Sequence, residues 1–231
     1  MIGIIGAMEV EVEKLREAMV IEASKTIAGM TFYSGTLSGV PVTLVRSGIG
    51  KVNAAMCAQI LCDCFQVSMI WNTGIAGSLC ADINIGDIVI SKDALQHDMD
   101  AVYFGYAPGV IPQQEVSTFP ADEALATKAM EVCKSVNPDI SVFSGRVVSG
   151  DQFVADKDKK KWISETFGGM CTEMEGAAIA QAAYLNGIPF LILRAISDKA
   201  DDSATMDYTT FEKKAIEHMV QLTLGLLKAI A

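Results

Sequence analysis

Arginine is scarce in this chain of 231 residues: only Arg16, Arg46, Arg146 and Arg194 occur, and the histidines are His97 and His218 alone. Arginine is the preferred bidentate reader of phosphate, so an arginine-built phosphate site is poorly supplied. Lysine and arginine together number 18 against 28 acidic residues, a formal charge of -10. Nucleic-acid backbone and anionic membranes both need clustered cations, so neither is expected as a partner. No apolar run approaches the length of a membrane span. The start, MIGIIGAMEVEVEKLREAM, lacks a basic n-region and turns acidic at Glu9, so no secretory signal is expected. The six cysteines are Cys57, Cys62, Cys64, Cys80, Cys133 and Cys171. A chain this long and apolar does not need disulfides. Two histidines at unrelated positions do not complete a metal set with them. Free thiols, buried or half-buried, are expected in a soluble cytoplasmic protein without metal or other cofactor.

What is present is enough for a folded core. The hydrophobic fraction is 51% and the charged fraction 20%, which excludes intrinsic disorder. A chain of this size buries roughly 70–75% of its unfolded surface, and one domain over residues 1–231 is expected. Strands are predicted at 2–5, 30–34, 41–46, 67–72, 87–91, 141–148 and 190–196, with a turn at Ser38-Gly39. Helices are predicted at 9–19, 51–65, 122–135, 157–166, 175–186 and 209–230. The segment FLILRAI (190–196) reads as a central strand, apolar on both faces. Alternating strands and helices predict an α/β fold, a three-layer αβα sandwich around a mixed, mainly parallel central sheet.

In such folds ligands bind outside the carboxyl ends of the strands. The residues there are Gly6–Glu9, Ser47–Gly50, Thr73–Gly77, Ser149–Phe153 and Ser197-Asp198. Four of the five carry glycine, which makes turns and also permits close approach to a ligand. Phosphate motifs fail inspection. After Gly48-Ile49-Gly50 the third glycine of a dinucleotide fingerprint is replaced by Asn53. Around Gly50-Lys51 the P-loop positions hold Val45 and Val52. The carboxylates carry more information. Glu11 follows the first strand end, Glu173 and Glu175 flank Met174, and Asp198 follows the central strand. Each also has a plain structural reading. Thr172 and Glu175 have capping-box spacing, Asp198 suits a cap, and Glu11 suits a solvated first helical turn.

Taken together, six segments resemble one family. They are GIIGAMEVEV (3–12), SGIGKVNA (47–54), NTGIAGS (72–78), VSGDQF (148–153), TEMEGAAIA (172–180) and RAISDKAD (194–201). Their order and near-complete coverage are similar to the 5′-methylthioadenosine/S-adenosylhomocysteine nucleosidases of the purine nucleoside phosphorylase-like superfamily. HDMDAVYFGY (97–106) narrows the likeness to the nucleosidases. The resemblance implies a nucleoside phosphorylase/hydrolase-like fold that cleaves the N-glycosidic bond of an adenine nucleoside with water. It implies Asp198 as the acid at adenine N7, steadied by Ser197, and Glu11 as the base for water, with Arg194 near that water. Glu175 would grip the ribose hydroxyls and Met174 pack on the sugar. Phe153 would stack on adenine, the Val154 backbone would read its edge, and Ala76 and Gly77 would line the pocket. Met8, Ile49, Ala101, Phe104 and Tyr208 would line the 5′ slot, and Tyr106 and Pro112 would come from a neighbouring subunit of a homodimer.

The apolar run AVYFGYAPGVIP (101–112) independently suits a covered surface. Departures from the family pattern are Ile75 where many members carry Ser, Ala101 for Val and Tyr208 for Phe. A phosphorylase of the same superfamily and a non-catalytic nucleoside-binding relative are the alternatives. An adenine-specific DNA glycosylase conflicts with the acidity.

Overall fold

The computed structural model describes residues 1–201 and 204–231, without the side chains of 205–209. The strands are β1 (Ile2–Gly6), β2 (Val20–Ile27), β3 (Met30–Leu37), β4 (Val40–Arg46), β5 (Met69–Ser78), β6 (Ile88–Gln96), β7 (Thr118–Pro120), β8 (Val142–Ser149), β9 (Cys171–Glu173) and β10 (Phe190–Asp198). The helices are α1 (Glu9–Glu17), α2 (Lys51–Phe65), α3 (Glu123–Val136), α4 (Lys157–Phe167), α5 (Gly176–Leu185) and α6 (Ala204–Ile230).

All ten described strands join one sheet. Parallel ladders link β1 to β4 and β5, β5 to β10, β6 to β8, and β8 to β9. Antiparallel ladders link β2 to β3, β3 to β4, β5 to β9, β6 to β7, and β6 to β10. The sheet is mixed as expected, but parallel pairing prevails only at its centre. Two hairpins extend one edge, and antiparallel contacts close β5, β10, β6, β8 and β9 into a ring. Both hairpin turns, Ala28-Gly29 and the anticipated Ser38-Gly39, have positive φ at each central residue. That geometry matches the twist of the flanking strands.

Side-chain alternation on β10 explains its apolar composition. Leu191, Leu193 and Ala195 enter a cluster with Val12 and Leu15 of α1, Ala129 of α3, and Leu222 and Leu226 of α6. Phe190, Ile192 and Ile196 enter a second cluster with Ala54 and Leu61 of α2, and Ala177 and Ile179 of α5. A strand buried on both faces has no room for polar alternation.

Several boundaries differ from expectation. β2 is exposed over nearly its whole length, so no apolar face betrays it. β7 and β9 have three residues each, too few for a period. β5 runs on through the polar and glycine-rich NTGIAGS, because β10 and β9 supply its ladder partners there. Cys57, Cys133 and Cys171 are buried free thiols, and Cys64 is exposed. No described helix is long and apolar enough to cross a membrane.

Candidate active site

Glu11 sits in the first turn of α1, where unpaired backbone N–H groups attract a carboxylate. Its Oε2 accepts from Ala7 N (2.6 Å) and Met8 N (2.9 Å), and its Oε1 accepts from Ile75 N on β5 (3.1 Å). The simple helix-start reading is therefore half right: Glu11 does close the start of α1, yet it is only 6% exposed. Burial raises its carboxyl pKa above the ordinary 4.5, against the opposing pull of Arg194 and the three N–H donors.

Gly74 makes this approach possible. A Cβ there would lie 2.4 Å from Glu11 Oε1 and 3.0 Å from Arg194 Nη1. Gly77 does the same for Asp198, whose Oδ1 lies 2.7 Å from the corresponding Cβ position. These two glycines are three residues apart, roughly 10 Å along the strand. Glu11 and Asp198 thus approach β5 at separate points.

Behind the cavity Arg194 is fully buried. Its Nη2 donates to Glu173 Oε2 and to Asn72 Oδ1. Burial opposes its charge, but Glu173, Glu11 and Glu175 outweigh that and raise its pKa. Glu173 also accepts from the Ser149 hydroxyl and from the N–H groups of Glu175 and Gly176, so it fixes the start of α5. Glu175 is the N-cap residue of that helix, and Thr172 lies in β9. The Thr172–Glu175 capping box is therefore not formed. Glu175 Oε1 instead accepts from Gly50 N at 2.8 Å. Burial, then the neighbouring Glu173 charge, raises its pKa.

Asp198 ends β10 and is 2% exposed. Its Oδ1 accepts from Ala200 N (2.8 Å), and its Oδ2 lies 2.8 Å from the Ser197 hydroxyl. α6 begins only at Ala204, so Asp198 does not cap it. Glu11, Glu175 and Asp198 all line one cavity of about 240 Å³. It lies at the carboxyl ends of the parallel strands β1, β5 and β10, where the fold class places a ligand.

Comparison with known proteins matches the chain to a family. A family model described as the phosphorylase superfamily matches residues 1–228. The 5′-methylthioadenosine/S-adenosylhomocysteine nucleosidase of Shewanella halifaxensis is 40% identical over 230 residues, covering 99% of each chain. The Neisseria meningitidis enzyme of that name, solved with methylthio-immucillin-A, superposes with a TM-score of 0.94 at 36% identity. That match covers 99% of this chain and 98% of the other. The Colwellia psychrerythraea enzyme, solved with adenine, gives a TM-score of 0.93 at 37% identity, covering 98% and 93%.

The chain belongs to the 5′-methylthioadenosine/S-adenosylhomocysteine nucleosidase family.

The residues singled out by the nucleosidase resemblance distribute unevenly. Met8, Ile49, Ala76, Gly77, Phe153, Val154, Met174 and Ser197 share the cavity wall with the three carboxylates. Arg194 stands behind it rather than in it. Phe104 and Tyr106 are not brought to the cavity of the single chain. Phe104 is 78% exposed on a short 3-10 turn (Val102–Phe104), packed edge-on against Tyr103. The side chain of Tyr208 lies outside the described residues. Ala7, Gln152, Thr172 and Glu173 also line the cavity, although the resemblance gave them no role. For Glu173 a signal was available: it is a carboxylate two residues before Glu175 and three before the first residue of the helix it anchors. Ile75 contributes its N–H to Glu11 whatever its side chain. Its side chain lines the cavity without offering the hydroxyl that Ser would.

Proposed function

We propose that this protein hydrolyses the N-glycosidic bond of 5′-methylthioadenosine and S-adenosylhomocysteine, and also of 5′-deoxyadenosine. The products are adenine and the 5-thioribose or 5-deoxyribose. The convergence of buried Glu11, Glu175 and Asp198 on one cavity, in a chain of this family, carries the reading. Relatives solved with adenine and with methylthio-immucillin-A support an adenine nucleoside as ligand.

The residues divide the chemistry. Adenine leaves poorly until a ring nitrogen is protonated, so Asp198 delivers a proton to N7 while the Ser197 hydroxyl steadies its carboxyl. The C1′–N9 bond breaks and the ribose becomes oxocarbenium-like. Glu11 takes a proton from the attacking water. Its raised pKa makes it a stronger base than a solvated glutamate. Glu175 grips the ribose hydroxyls beside Met174, Phe153 stacks on the base, and the Val154 backbone reads its edge. Arg194 holds the charge balance around Glu11.

Water rather than phosphate as nucleophile is supported by the fate of the arginines. Arg194 is taken up by Glu173 and Asn72, Arg146 by Asp93 and the Phe167 carbonyl, and Arg16 by Glu9, while Arg46 lines a neighbouring cleft that Glu11 does not. A phosphate beside Glu11 would also meet a carboxylate. The reading further takes residues 1–231 as one cytoplasmic nucleosidase domain, a three-layer αβα sandwich. The two core clusters on either side of the sheet support that architecture. It also takes the protein as a homodimer. Support comes from the exposed Val102, Tyr103 and Phe104, an apolar surface suited to a second copy that would bring Tyr106 and Pro112 to the 5′ slot.

Incubation with methylthioadenosine, with and without phosphate, tests the reading. Free adenine and methylthioribose without phosphate are expected. A strict phosphate requirement favours the phosphorylase, and no adenine release favours a binding protein.

A further inference from the structure

We infer that Arg46 and Glu9 form a subsite for an α-amino-acid zwitterion, which in this protein is the homocysteinyl tail of S-adenosylhomocysteine. The inference rests on the nucleosidase reading above and extends it to the far end of the substrate.

A second, polar cleft of about 490 Å³ adjoins the catalytic cavity and shares Ala7, Met8 and Ile49 with it. Met8 and Ile49 are two of the residues assigned to the 5′ slot, and a tail longer than methyl that passes them enters this cleft. Arg46 and Glu9 line it. Arg46 ends β4 directly abreast of Gly6, and Glu9 begins α1 three residues after the paired Gly6. Backbone bonds from Ser47 N to Gly6 O (2.9 Å) and from Gly48 N to Ala7 O (3.1 Å) hold the two segments together.

The charges are suited to a zwitterion. Three of the four arginines are firmly committed: Arg194 to Glu173, Arg146 to Asp93, and Arg16 to Glu9 Oε1 at 2.6 Å. Arg46 has one ion pair among the described residues, Nη1 to Glu9 Oε2 at 3.5 Å. Charge-assisted hydrogen bonds are shorter, about 2.7–2.9 Å. This pair is therefore loose, and its side chains are 56% and 42% exposed. An amino-acid head supplies both missing partners. Its carboxylate takes the Arg46 guanidinium and its ammonium takes Glu9 Oε2, while Arg16 keeps Glu9 Oε1. Methylthioadenosine ends at its methyl group and reaches neither.

Steady-state kinetics of Arg46→Gln and Glu9→Gln on both nucleosides test the assignment. KM for S-adenosylhomocysteine rises about tenfold, the scale of one charge-assisted contact. Its kcat stays near the wild-type value, and both parameters for methylthioadenosine are unchanged. Arg46→Lys, which keeps the charge, restores part of the loss. A 5′-propylthio nucleoside has a comparable apolar reach without the zwitterion, and it is insensitive to all three substitutions. Unchanged KM for S-adenosylhomocysteine overturns the subsite, as does an equal loss on both nucleosides. Failure of the wild-type protein to hydrolyse either nucleoside overturns the nucleosidase reading instead.

Discussion

Glu175 sits where its surroundings disfavour a charge. Burial and Glu173 raise its pKa in the folded state above the ordinary 4.5. A carboxyl raised in this way favours the fold below its unfolded pKa, and that contribution is lost as pH rises through the folded value. Glu175→Gln removes the penalty and keeps an acceptor for Gly50 N–H. Thermal melts should show the variant more stable than the parent near pH 8 and level with it near pH 4, while its turnover falls. A variant that melts lower at high pH contradicts this account of Glu175. The same sign governs Glu11, which must be ionised to act as base. The acid limb of kcat/KM for methylthioadenosine should lie above pH 4.5, the ordinary carboxyl value, and should vanish in Glu11→Gln. Gly74→Ala tests how closely Glu11 and Arg194 are set. The added methyl would lie 2.4 Å from Glu11 Oε1, so turnover should drop about 100-fold and stability by about 1–3 kcal/mol. Normal turnover in that variant would mean that Glu11 is not held where the chemistry needs it.

Elements matter through what they hold at their ends. The start of α5 is fixed by Glu173, which also neutralises Arg194. Glu173→Gln leaves a buried guanidinium without its nearest charge, and removing one partner of a buried pair costs about 3 kcal/mol or more. Melting temperature should fall by roughly 2–4 °C for each kcal/mol, with activity lost in parallel. A melt unchanged by the substitution would contradict the anchoring role. Legibility in the sequence followed burial. The runs IGII and FLILRAI declare β1 and β10, and Ser38-Gly39 declares a hairpin. Exposed β2 and three-residue β9 give no periodic signal, because nothing in their composition is forced to alternate. The site was legible as residue types at strand ends, with helix-start roles competing for each carboxylate. Burial decided between them: Thr172 is in a strand, Asp198 caps no helix, and Glu11 both closes α1 and faces the cavity. The pairing of Arg194 with Glu173 could not be read from spacing, because it spans β9 and β10.

At the scale of the whole molecule, one sheet carries both core clusters and brings three distant segments to one cavity. On the proposed reading, the exposed Tyr103 and Phe104 belong to a surface that a second copy covers, completing the 5′ slot. Sedimentation should give a dimer, and Phe104→Ser should weaken it and raise KM for methylthioadenosine. A fully active monomer at assay concentration would contradict the homodimer. The central claim is that Asp198 and Glu11 in this cavity cleave the nucleoside with water. The most direct test compares adenine release from methylthioadenosine by the wild-type protein and by Asp198→Asn, side by side in phosphate-free buffer. The account predicts free adenine and methylthioribose from the wild type and turnover slower by at least about 100-fold in the variant. A phosphate requirement, or near-normal turnover by Asp198→Asn, would contradict it.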